Sequence, residues 1–223
     1  MLQTDFVIAL FEFALLVMSI SAHEFAHAWM ASRQGDNTAR TMGRVTLNPM
    51  AHMDPIGMLL VPLLLIFIPS LSGGVLFGWG KTVPVTRRNL RHFARDESLV
   101  SLAGPVTNLV IAIAAFLGIA ILFFAERLAH ASVNPPLVLM TVQIFLYLAI
   151  QINLALFIFN LIPIPPLDGS RLLHNAVPYD LDPLFSHISG PVSYILMAVI
   201  GRVVLGFALH PVYSWLDTAL AHI

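Results

Sequence analysis

Ser21–Ala28 reads Ser-Ala-His-Glu-Phe-Ala-His-Ala. On a helix, His23 and His27 are four residues apart and share one face, one turn above the other. Two imidazoles at that spacing can grip one Zn²⁺. Glu24 then stands beside the open coordination position, where it can take a proton from water. A His-Glu-x-x-His string by itself arises often by chance. This one lies inside a long apolar run that begins at Phe6, where histidine and glutamate are expensive and mark function by default. The bland alternative is two buried histidines and an acid, each satisfied by hydrogen bonds.

The chain around this motif is a membrane chain. Of its 223 residues, 58% are hydrophobic and 10% charged, against about 25% charged in soluble domains. Mean hydropathy is +0.85. The net charge of −1 points to no nucleic-acid partner. There is no cysteine, so any metal must be held by His, Asp or Glu. The first apolar run lacks a basic start and carries the His-Glu motif, so it does not read as a cleaved leader. One integral-membrane domain over 1–223 is expected, with a core over about 6–175 and a C-terminal helix over about 191–210.

The expected fold is all-α and polytopic. Four stretches read as full spans: Phe6–Ser32, Leu99–Ala125, Leu137–Ile162 and Val192–Leu209. Ile56–Trp79 is apolar but broken by Pro62, Pro69, Gly73 and Gly74. It leaves two pieces of about a dozen residues, a re-entrant hairpin rather than a span. Short membrane-associated strands are predicted within Asp36–Asp54 and Phe77–Val85. Arg33, Arg40, Arg44, Lys81, Arg87, Arg88, Arg91, Arg95 and Arg171 fall in loops predicted to lie inside, which places the N-terminus outside and the motif end of the first span at the cytoplasmic face. If Ile56–Trp79 crossed once, the His pair and the end of Leu137–Ile162 would lie on opposite faces. A dip and return keeps them together.

A catalytic zinc usually has three protein ligands. The acids after the first span are Asp36, Asp54, Asp96, Glu97, Glu126, Asp168, Asp180, Asp182 and Asp217. Asp168 follows directly on a span end, where Pro163, Pro165 and Pro166 should fray the helix into extended backbone. Position favours Asp168 without deciding the matter.

His23-Glu24-Phe25-Ala26-His27 in the first span, with Asn160-Leu161-Ile162-Pro163 and Leu167-Asp168-Gly169 at the end of a later one, resembles the site-2 proteases, which are intramembrane zinc metalloproteases. Ala103-Gly104-Pro105, and Phe77-Gly78-Trp79 before Lys81, are further features similar to bacterial members. The similarity runs from about Leu10 to about Asn175, and no PDZ or CBS segment is evident, so a minimal form is expected. The resemblance implies one Zn²⁺ per chain held by His23, His27 and Asp168, with Glu24 as general base. It implies that Asn160 holds substrate or stabilises the oxyanion. The implied reaction is hydrolysis of a peptide bond in a substrate protein with a single membrane-spanning helix, in the cell membrane, with the site near the cytoplasmic side. That helix must unwind before attack. Gly43–Leu47 or Gly80–Val85 could pair with it as an added strand.

Other residues read more plainly. His52 and Asp54 are expected to pack as loop residues against headgroups. Arg171 is expected to snorkel from a helix end. Asn108, near Gly104-Pro105, reads as helix-packing glue. Trp29 and Trp79 suit the interfacial belt. Two rival functions are a metal transporter using the same three ligands and a catalytically silent scaffold. Glu24 beside the ligands argues against the first, and the intact ligand set against the second.

Overall fold

The computed structural model describes residues 2–68, 76, 78–128 and 136–177, with isolated helical positions from 200 to 214. The predicted last span Val192–Leu209 therefore lies mostly outside the described residues. So do the breaks at Pro69, Gly73 and Gly74.

Three long helices carry the fold: α1 (Leu2–Arg33), α4 (Phe93–Leu128) and α5 (Leu137–Asn160). Each is long and apolar enough to cross a membrane, so this is a membrane protein. Between α1 and α4 lie the short helices α2 (Thr38–Thr41) and α3 (Val61–Phe67), the latter led in by a π-helical turn over Pro55–Leu60. After α5 comes α6 (Asp168–Ala176).

Contacts set the directions. Phe11 meets Phe145 edge to face at 5.7 Å, and Ser19 meets Asn153. Both pairs are 134 residues apart, so α1 and α5 run parallel. Along α4 the order is reversed: His23 meets Asn108, and His27 meets Val100. The helix α4 is thus antiparallel to both neighbours. The C-terminal ends of α1 and α5 lie together, beside the start of α4. Leu16, Ile20, Met58, Ala115, Ile150 and Leu156 fill the space between the elements.

The connection from α1 to α4 begins and ends on that same side. The Trp79 N–H donates to the Gly57 carbonyl at 3.1 Å, and the Lys81 N–H to the His52 carbonyl at 2.9 Å. The apolar segment therefore closes on its own start.

Among the described residues there is no β-strand, contrary to expectation. Residues 42–48 bend instead of extending: Gly43 has φ +68°, Asn48 caps a 3₁₀ turn at Pro49–Ala51, and the Thr46 carbonyl is taken by His52. Residues 78–86 run without a strand partner, because side chains and loop carbonyls take their N–H groups. Nor does α5 fray into extended chain up to Asp168. It stops at Asn160, prolines break residues 161–167, and Asp168 opens α6. An acid in a helix's first turn is favoured by the dipole.

Gly35, at φ +109°, ends α1 in a left-handed turn in which the Asp36 N–H donates to the Ala31 carbonyl. The Asp36 carboxylate, fully buried, then accepts the N–H and hydroxyl of Thr38, the Asn89 amide and the Thr86 N–H. It ties the end of α1 to the far end of the 78–86 segment. Burial alone would raise the Asp36 carboxyl; these hydrogen bonds outweigh it and hold it below the ordinary value. A lowered folded value contributes stability that is present above the unfolded value of about 4 and is lost as pH falls through the folded one. Asp36→Asn is expected to destabilise the detergent-solubilised chain by about 1–3 kcal/mol near neutral pH. The gap to the parent should narrow below about pH 4; thermal melts at both pH values check this.

Candidate active site

One turn of α1 brings His23 and His27 onto the face that meets α4 and α6. Their Nε2 atoms lie 2.9 Å apart. Asp168 Oδ2 is 3.1 Å from the first and 3.2 Å from the second. All three are the group among the described residues whose donor atoms converge as metal ligands would. Four-coordinate zinc with bonds of about 2.0–2.1 Å has ligand atoms about 3.3 Å apart, so the donor set fits such an ion in chemistry and in scale.

The other ring nitrogens are occupied. The His27 Nδ1–H donates to the Val100 carbonyl at 2.7 Å, and His23 Nδ1 lies 2.6 Å from Asn108 Oδ1. Val100, Gly104 and Asn108 are successive turns of one α4 face lying along the His pair. Pro105 is accommodated inside α4. A methyl group on Gly104 would overlap the Nε2 atoms of both histidines. Glycine is needed here for close approach, not for an unusual backbone angle. Gly169 has a comparable duty: a Cβ there would strike the Leu161 carbonyl and push α6 from the end of α5.

Glu24 is buried and accepts the Val83 N–H at 3.1 Å. It lines a cavity of about 270 Å³ together with both histidines, Asp168, Asn160 and Arg171. Asn160 donates one amide hydrogen to the Leu156 carbonyl at 2.9 Å, which leaves the second. All five residues predicted for the site thus face one cavity, and Arg171 lines it too.

Sequence reasoning placed some residues wrongly. His52 is fully buried, its Nε2–H donating to the Thr46 carbonyl at 2.8 Å, and is no headgroup contact. Asp54 caps the π-helical turn through the N–H groups of Ile56 and Gly57. Trp79 lies against Gly57 and lines the cavity. Asn108 does join helices, through Ser19 and Asn153, and is also hydrogen-bonded to a candidate ligand. Asn153 and Ser19, bonded to each other behind it, were not singled out at all. The available signal was an amide within each of two apolar spans, where such groups demand partners.

Comparison with known proteins follows the same line. The model of Peptidase family M50 matches residues 127–201. The chain is 42% identical over 165 residues to “Putative zinc metalloprotease YwhC” of Bacillus subtilis, covering 73% of this chain and 67% of that one. It is 37% identical over 153 residues to “Putative zinc metalloprotease Rip2” of Mycolicibacterium smegmatis, covering 69% and 52%. With the protein of that same name from Mycobacterium tuberculosis H37Rv it is 32% identical over 159 residues, covering 70% and 53%. The chain therefore spans two thirds of the first relative and about half of the other two. No solved structure matches it.

Gly104→Ala tests the close approach. Alanine favours a helix over glycine by about 1 kcal/mol, so a residue with no duty at the site would gain from the change. The expected result is instead a chain less stable than the parent in thermal melts, by an overpacking cost of about 1–3 kcal/mol.

Proposed function

The chain belongs to Peptidase family M50, a family of metallopeptidases, and on that footing we propose that it is an intramembrane zinc endopeptidase of the site-2 type. The observation that carries this reading is the convergence of His23, His27 and Asp168 within 3.2 Å of one another in a cavity that Glu24 also lines. His23 Nε2, His27 Nε2 and a carboxylate oxygen of Asp168 would hold one Zn²⁺ per chain. A zinc ion there supplies Lewis acidity, which acidifies water and polarises a carbonyl.

The remaining chemistry falls to the protein. Glu24 takes a proton from the attacking water and delivers it to the leaving amine. The free amide hydrogen of Asn160 stabilises charge developing on the scissile carbonyl oxygen. The substrate is a membrane-spanning helix of another protein, unwound locally so that its backbone can be reached.

The backbone over the site suits an unwound chain. The N–H groups of Trp79, Lys81 and Val83, every second residue, donate to Gly57, His52 and Glu24. An extended chain paired along one edge offers the intervening groups along the other. Among the described residues, none accepts from the N–H of Gly80 or Thr82. That edge would receive the substrate as an added strand, and Pro84 ends it. The bent Gly43–Leu47 stretch is not suited to this.

The basic residues near the end of α1 and the start of α4 support a site on the cytoplasmic side of the cell membrane. The closure of residues 57–79 on themselves supports a segment that dips in and returns.

Zinc analysis of the purified parent, Glu24→Gln and Asp168→Ala tests the site. Near one zinc per chain is expected in the first two and less than a tenth of that in Asp168→Ala. Cleavage of a model transmembrane substrate should be lost in both variants, by about 10²–10⁴-fold for Glu24→Gln. Full zinc retention in Asp168→Ala would remove the third-ligand assignment.

Proline substitution separates the two edges of the overlying segment. Thr82→Pro should raise KM by removing a donor from the open edge. Val83→Pro should lower kcat by removing the donor that orients Glu24. Equal cleavage by the parent and Thr82→Pro would end the added-strand reading.

A further inference from the structure

Three polar side chains in the apolar interior have no part in the chemistry above. Asn108 and Asn153 are fully buried, and Ser19 is 3% exposed. They form one connected chain that ends on His23 and joins α1, α4 and α5.

The direction of that chain follows from its fixed acceptors. The Ala149 carbonyl can only accept, so the amide nitrogen of Asn153 must face it, at 2.9 Å. The same nitrogen donates to Ser19 Oγ at 2.9 Å. The Asn153 oxygen is thereby turned toward Asn108, whose amide nitrogen donates to it at 3.0 Å. That nitrogen also reaches the Ser19 carbonyl at 3.4 Å. Asn108 Oδ1 is left facing His23 Nδ1 at 2.6 Å. An amide oxygen only accepts, so Nδ1 carries the hydrogen and Nε2 the lone pair.

We propose that Asn108, held in orientation by Asn153 and Ser19, is a positioning residue that sets the tautomer and ring plane of His23 for metal binding. The proposal rests on the zinc reading of the site. His27 meets the same requirement from the Val100 carbonyl, which cannot present a donor in its place. A side-chain amide can. Rotated by half a turn, Asn108 would offer its NH₂ to Nδ1 and favour the tautomer whose Nε2 bears a hydrogen. The Asn153 oxygen and the Ser19 carbonyl forbid that rotation, since it would set the Asn108 oxygen against both, and the Ala149 carbonyl keeps Asn153 from turning with it. A ligand whose orientation depends on an amide needs such a lock, which accounts for two asparagines where packing alone needs neither.

The test uses the full chain in detergent, labelled with ¹⁵N-histidine, with His23 assigned through His23→Gln. In the metal-free parent, His23 should be wholly in the Nδ1–H form. Asn108→Leu should give a mixture of tautomers and weaken zinc, measured against a competing chelator, by about 10–100-fold. Asn153→Leu should shift both readouts the same way by less. Asn153→Asp, neutral when buried, can accept from Asn108 and donate to Ala149, and should return both toward the parent. Nε2–H on His23 in the metal-free parent would overturn the proposal without any variant. So would parental tautomer and zinc affinity in a less stable Asn108→Leu, since helix packing alone would then explain the residue. A parent that binds no zinc would sink the metal reading instead, while the tautomer still tests the amide chain.

Discussion

An apolar interior tolerates a polar group only when that group is bonded, and the structure around the His pair is arranged to meet that demand. His23, Glu24 and His27 occupy consecutive turns of α1 deep among hydrophobic side chains. Each ring needs a partner for Nδ1 if Nε2 is to stay free. One face of α4 supplies both, at Asn108 and Val100. Because the earlier histidine meets the later α4 partner and the later histidine the earlier one, the two helices pass close and antiparallel. Gly104, between the partners, makes that distance possible.

The parallel arrangement of α1 and α5 follows from the same demand. Asp168 can approach the Nε2 atoms only if α5 ends where the His motif lies. The chain between α1 and α4 must then leave and return on one side, which the bonds from Trp79 to Gly57 and Lys81 to His52 achieve. Two acids, Glu24 within α1 and Asp36 just past its end, anchor the returning segment by its backbone. The segment is thus fixed along one edge by carboxylates and carbonyls, not by a neighbouring strand. This is why it has an extended chain's alternation without belonging to a sheet.

Much of the site could be read in the chain order of residues. His23, Glu24 and His27 declare themselves by helical spacing in an apolar run. Asp168 stands out as an acid following a span end. The membrane character and the three long helices follow from hydropathy. Less could be read where a residue's partner is remote. Asn108 read as packing glue because its bond to His23 crosses 85 residues. Asn153 drew no notice because its partners Ser19 and Asn108 lie on other helices. His52 read as a surface loop residue because local sequence does not reveal the segment that covers it.

By itself, then, the sequence determined which side chains could do chemistry, and that they sit on membrane helices, because spacing along one helix and the cost of burying charge are local properties. The tertiary structure alone decided that the third donor atom meets the other two and that the returning segment caps Glu24. It also decided which way each buried amide points. Those outcomes depend on which helix faces which, and at what depth, and hydrogen bonds across 45 to 145 residues leave no trace in the spacing of either partner.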